Sequence, residues 1–279
     1  MPWLPELFSA PVLQRLQEKW ERELVTVPFF DGLMTGELDA LVESFVHEPE
    51  LHHPVRGRIR GVPAFSRFVA ETRAWLSQPG ASVENVEHVV RAGRHACGEV
   101  VLHVEGKTEQ VGLPVAIVAD REPGGRIDEL RMYYSSWPLR GRHATRPPLL
   151  QPYAELPASD VVGKYQRALA AGDVDAIVAV FEPDGYAREP AGGDYLHQGT
   201  DGVRAFYERL FANGGGIPLE HCALIDDERA CALEYNVVRW GATELPPQAG
   251  VAVYVRGDSG KIAAARIYDD VDPPLGSRP

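Results

Sequence analysis

Glu189 stands directly before Pro190, and a proline holds the residue ahead of it in an extended backbone, which helps to aim its side chain. A carboxylate held in this way can take a proton from a carbon acid, provided it is shielded from water and lies within reach of that proton. In the first half of the chain His53 precedes Pro54, and a histidine can act as a base near neutral pH. Around Glu189 the second half supplies many aromatic residues. If it contains a pocket, some of Tyr186, Phe206, Tyr207, Tyr235, Trp240 and Tyr268 line it and suit a flat or hydrophobic ligand such as a polyketide, terpenoid or steroid-like compound.

The elements that must position these groups are legible from periodicity. Ser159 is placed to cap a helix whose apolar side carries Val161, Val162, Tyr165 and Leu169, and Gly172 is placed to end it. Asp173 caps a second helix through Ile177, Val178 and Phe181, and Thr200 precedes a third through Val203, Phe206, Tyr207, Leu210 and Phe211. After Gly214-Gly215-Gly216 come four β-branched runs, near 217–225, 230–240, 249–256 and 261–270, the last two joined by the turn Gly257-Asp258-Ser259-Gly260. Helices followed by an antiparallel sheet predict an α+β layer.

The first half repeats this plan. Gly36 to Phe45 matches Gly172 to Phe181, with Asp39 over Asp175 and Ala40 over Ala176. His53-Pro54 then lies where Glu189-Pro190 does, Gly61 over Gly199, Phe68 over Phe206, and Arg131-Met132-Tyr133 over Arg266-Ile267-Tyr268. An additional helix through Leu13, Leu16 and Trp20 precedes the first copy, and strands are expected over 83–91, 95–105, 110–119 and 126–136. The expected organisation is a first domain over 1–145, a proline-rich, semi-rigid linker over 146–157 and a second domain over 158–279.

The order of helix, helix, carboxylate before proline and helix resembles ketosteroid isomerase and the wider nuclear-transport-factor-2-like and SnoaL-like polyketide cyclase domains. The resemblance implies a cone with a pocket inside it, and two such cones in one chain imply a pseudo-dimer, with further self-association left open. It implies that Glu189 shuttles a proton and that Tyr165 donates a hydrogen bond to the developing oxyanion. The oxyanion aspartic acid of that family is absent, its place falling near Ala252; Tyr254, two residues on and on the same strand face, offers a substitute hydroxyl. One aspartate of limonene epoxide hydrolase would fall at Ile267. The related epoxide-opening cyclases of polyether biosynthesis need one acid and one base, for which Glu189 can pair with Glu220, Glu234, Asp269 or Asp270. In the first copy His53 replaces Glu189 and Phe29 replaces Tyr165, which implies a structural partner, with His53 kept as a possible base.

Composition narrows the classes. A net charge of −12 argues against nucleic acid and anionic membranes as partners. Neither a long apolar run nor a basic leader is present, so a cytoplasmic location is expected. The cysteines Cys97, Cys222 and Cys231 lack zinc spacing. His52 and His53 are neighbours on an extended chain and point opposite ways, so no metal is expected. No dinucleotide or phosphate-loop motif occurs, and no cofactor is expected.

Overall fold

The computed structural model describes residues 37–85, 89–105, 110–122, 125–153, 160–192 and 195–273. The expected helix through Leu13, Leu16 and Trp20 lies outside them, as do Phe29, Gly36 and Ser159. The first half forms α1 (Leu38–Glu43), β1 (Glu50–His53), β2 (Gly57–Arg60), α2 (Val62–Leu76), β3 (Ser82–Asn85), β4 (Val90–Ala92), β5 (His95–Glu105), β6 (Gln110–Arg121), β7 (Ile127–Tyr133) and the one-turn α3 (Trp137–Arg140). The second forms α4 (Val161–Ala171), α5 (Val174–Val180), β8 (Phe181–Arg188), β9 (Leu196–Gln198), α6 (Gly199–Leu210), β10 (Leu219–Asp226), β11 (Ala230–Trp240), β12 (Thr243–Arg256) and β13 (Ile262–Tyr268).

The sheets have equivalent orders, β2-β1-β7-β6-β5-β3 and β9-β8-β13-β12-β11-β10, with β4 also pairing β5. Each contains one parallel pair, β1 with β7 and β8 with β13. Registers match residue for residue: Glu99 pairs Ala116 and Glu234 pairs Val251, while Ala116 pairs Tyr133 and Val251 pairs Tyr268. The chain is two α+β cones in tandem.

Several local expectations need correction. The expected single strand over 83–91 is described as β3 and β4. Strands β8 and β9 flank Glu189 in a stretch for which the sequence suggested no regular element; Pro183 and Gly185 inside β8 mask its strand signal. Asp160, whose carboxylate accepts the Val162 amide at 2.8 Å, is the N-cap of α4, and Gly172 ends the helix in the left-handed conformation. Asp173 caps α5 as expected, accepting the Ala176 amide at 2.9 Å.

Alternation along the strands divides the apolar residues between two destinations. In the second half Leu233, Val237, Ala252 and Ala265 face Val162, Leu169, Ile177 and Val203 of the helices. The opposite sheet faces meet each other: Cys97, Ala116, Val118 and Tyr133 pack with Ala232, Val251, Val253 and Tyr268. Within that apolar contact two buried acids are satisfied reciprocally. Glu234 accepts Arg131 Nε at 2.7 Å, Arg131 Nη2 at 2.8 Å and Tyr133 Oη at 2.6 Å. At the equivalent place Glu99 accepts Arg266 Nε at 2.7 Å, Arg266 Nη2 and Tyr268 Oη. Such pairs contribute little net stability over an apolar contact, but breaking one leaves a buried charge uncompensated. They join the two sheets across the contact between the cones. No described helix is long and apolar enough to cross a membrane.

Candidate active site

In the second cone the helices and the inner sheet face leave a cavity of about 330 Å³. Its wall is largely aromatic and aliphatic, with Tyr165, Phe206, Tyr207, Tyr235, Trp240 and Tyr254 all reaching it. Three acidic residues, Glu189, Asp269 and Asp272, line the same space.

Asp269 follows β13 with inward parity, two residues beyond Ile267, which also lines the cavity. Tyr235 Oη donates to Asp269 Oδ2 at 2.8 Å. Gly250 makes that bond possible, since a Cβ there would stand 2.6 Å from Tyr235 Cε2 and 2.8 Å from Asp269 Cβ. Burial pushes the Asp269 carboxyl up to about 6, against the opposing pull of the Tyr235 hydroxyl and the Val271 amide. In the first cone the equivalent places hold Val100, Val115 and Tyr134, so the pair has no counterpart there.

Glu189 sits at the end of the β8–β9 hairpin, its amide bonded to the Tyr195 carbonyl at 3.0 Å. Its Oε1 accepts Arg209 Nη2 at 2.9 Å and lies 2.7 Å from His197 Nε2. His197 in turn stacks on Phe206 with centroids 4.4 Å apart. The carboxylate is thus tethered at the cavity wall. Neither His197 nor Arg209 stood out in the sequence; both become relevant only when the hairpin and α6 converge.

The tyrosine hydroxyls remain protonated donors. Burial pushes Tyr165 up to about 12 and raises Tyr207 and Tyr254 well above their usual range. Tyr165 and Tyr207 share a hydroxyl–hydroxyl bond of 2.6 Å, which uses one of their two hydrogens. Tyr254 Oη accepts Gln166 Nε2 at 2.7 Å, which leaves its own hydrogen to donate.

The cavity also takes residues from beyond the first cone: Ser135, Trp137 and His143 line it. α3 ends at Gly141, and the chain returns so that His143 stacks on Trp137 at 5.0 Å between centroids. Trp137 and His143 went unnoticed in the sequence because they follow the last strand of the first copy, outside the matched part of the repeat.

Other expected site residues lie elsewhere. Glu234 is on the outer sheet face, engaged by Arg131 and Tyr133, and does not line the cavity. Tyr268 is likewise at the domain contact, donating to Glu99, and Tyr186 Oη accepts Arg266 Nη1 at 3.1 Å on that same face. Strand parity places all three away from the pocket. His53 occupies the position equivalent to Glu189, as expected, but it packs edge-on against Phe68 and Tyr134. Its Nδ1 accepts the Val55 and Arg56 amides at 3.2 and 3.1 Å. Burial, aided by Arg56, Arg146 and Arg140, lowers it to about 3, so it is a neutral structural histidine rather than a base. His52 lies between Glu50 and Glu129, at 3.2 and 3.5 Å, but Arg58 and Arg131 already engage those carboxylates.

Residues 162–265 match the model of the SnoaL-like domain, and the second cone carries that fold. No curated protein matches the chain. Among solved structures, an uncharacterised cystatin-fold protein from Novosphingobium aromaticivorans is 22% identical, with a TM-score of 0.34, over 38% of this chain and 93% of that one. A proposed polyketide cyclase from Sinorhizobium meliloti is 21% identical, with a TM-score of 0.32, over 40% and 94%. The epoxide hydrolase/cyclase-like enzyme SalBIII, of pyran ring formation in the polyether salinomycin, is 22% identical, with a TM-score of 0.32, over 39% and 87%.

Proposed function

We propose that the second domain performs acid–base chemistry of the isomerase or cyclase kind on a hydrophobic small molecule of polyketide, terpenoid or steroid type. The observation that carries this reading is Asp269, a carboxyl pushed up to about 6 on the wall of a largely aromatic cavity. A group with that proton affinity can both take and return a proton near neutral pH. The SnoaL-like match over residues 162–265 supports the same class.

Ionised Asp269 takes the proton beside a substrate carbonyl and returns it to another carbon of the same framework. Tyr254 and the Tyr165–Tyr207 pair donate hydrogen bonds to the oxyanion formed between the two transfers. Glu189, tethered by Arg209, is another carboxylate at the wall and the alternative shuttle.

A second reading, epoxide opening by an intramolecular hydroxyl, is favoured by the contrast between the two carboxyl groups. Asp269 has a tyrosine and an amide as partners, whereas Glu189 has a guanidinium. Here protonated Asp269 gives its proton to the epoxide oxygen while Glu189 takes one from the attacking hydroxyl.

The test uses Asp269→Asn and Glu189→Gln with a β,γ-unsaturated cyclic ketone and an aliphatic epoxy alcohol as probes. Asp269→Asn should retain binding and lose about 100-fold or more in turnover. Loss in Glu189→Gln alone would return the shuttle role to Glu189. Binding by the wild-type protein with no turnover of either probe would make the second domain a ligand-binding module.

A further inference from the structure

Residues 135–144, which follow the first cone, converge on one carboxylate of the second. Asp270 Oδ1 accepts Ser135 Oγ at 2.8 Å and His143 Nδ1 at 2.9 Å, and its Oδ2 accepts Ser136 Oγ at 2.6 Å and the Ala144 amide at 2.7 Å. A carboxylate has roughly four lone-pair positions, and these donors fill them. Although burial alone would raise Asp270, the bonds from His143, Ser136 and the amides hold it below the usual carboxylate range.

An ionised carboxylate can only accept, so His143 donates from Nδ1, and in the neutral ring this leaves the lone pair on Nε2. The ring, fixed between Trp137 and Asp270, lines the same cavity as Asp269.

We propose that His143 is a further catalytic residue of this cavity, a general base whose Nε2, in place of the Glu189 carboxylate, accepts the proton of a substrate hydroxyl in the epoxide-opening reaction, with Asp270 as its positioning residue. The inference rests on the acid–base reading above and narrows its substrate to a hydrophobic molecule that carries a hydroxyl. In the step, the substrate O–H bond breaks, its electron pair stays on oxygen as the nucleophile, and the proton joins Nε2. The Asp270 carboxylate neutralises the imidazolium. The proton then leaves Nε2 for the basic product oxygen or for Asp269, which restores the neutral ring and closes the cycle. The site is therefore composite, since the first half supplies a reacting group to the pocket of the second.

The experiment uses the full-length chain labelled with 15N-histidine and 2-naphthol as a hydroxyl-bearing probe, with His143→Gln to identify the resonance. Expected are an Nδ1–H tautomer, a shift of the Nε2 resonance on naphthol binding, and weaker effects with 2-methoxynaphthalene. Asp270→Asn should abolish the tautomer preference, and Asp270→Glu should restore part of it. On an epoxy alcohol, His143→Gln should lose about 100-fold in turnover with KM little changed. A proton on Nε2 in the wild-type protein, an unshifted Nε2 in the naphthol complex, or failure of naphthol to bind overturns the proposal. If Asp269→Asn abolishes turnover while His143→Gln leaves it intact, this inference falls and the acid–base reading stands. If both variants remain fully active, the acid–base reading falls as well.

Discussion

Tyr235 and Asp269 meet across Gly250, hydroxyl to carboxylate at 2.8 Å, on strands that are not neighbours in the sheet. The contact joins β11 to the end of β13 over the one position on β12 that has no side chain in the way. It gives a carboxyl otherwise surrounded by apolar groups a single side-chain donor, and several expectations depend on it.

Tyr235→Phe removes a bond that favours the ionised form of Asp269, so the carboxyl should titrate above its present value of about 6. Infrared titration of the carboxyl band, with Asp269→Asn as the reference, measures the shift. An unchanged titration would mean that burial alone sets the value.

The same group makes stability depend on pH. Its folded value, about 6, lies above the ordinary 3.8, so the folded state binds the proton more tightly and the group destabilises the fold as pH rises from about 4 through 6. Asp269→Asn should therefore gain on the wild type by up to about 3 kcal/mol between pH 4 and pH 8. Urea unfolding at both pH values checks this, and a pH-independent difference contradicts it.

Activity separates the two proposed reactions by sign. Proton abstraction from carbon needs ionised Asp269, so kcat/KM rises as pH passes upward through about 6. Epoxide opening needs the protonated acid, so kcat/KM falls over that interval. The pH profile of each probe reads the direction.

Gly250→Ala places a methyl group against both Tyr235 and Asp269. It should destabilise the protein by about 1–3 kcal/mol and reduce turnover. Thermal unfolding and probe turnover measure the two effects. Full activity with unchanged stability would show that the strands part freely at this point.

Glu99→Ala leaves Arg266 buried without a carboxylate partner, whereas Arg131 keeps Asp120 and Glu129 after Glu234→Ala. The first should cost about 3–5 kcal/mol in urea unfolding and the second less. Replacing Glu99, Arg266 and Tyr268 together with apolar residues should recover most of the first loss, because the isolated charge and not the pair is what destabilises.

The repeat, the α+β class and the helix faces were readable from the sequence because they rest on local rules. Spacing places Val162, Tyr165 and Leu169 on one side of α4, Asp173 caps α5, and the copies share Gly, Phe and Arg-x-Tyr at equivalent intervals. Strand parity was equally available and would have sorted the acids: Ile267 and Asp269 share one face, and Arg266, Tyr268 and Asp270 share the other. Which face was the pocket could not be read there, because both faces of these strands are buried and both look apolar. Only the docking of the two sheets decided that Glu234 and Tyr268 belong to an ion-paired contact. Only chain reversal after α3 brought His143 onto Asp270, 127 residues away. Periodicity carries information over a few residues, whereas a site assembled from both halves of a chain depends on contacts that exist only once the halves have packed.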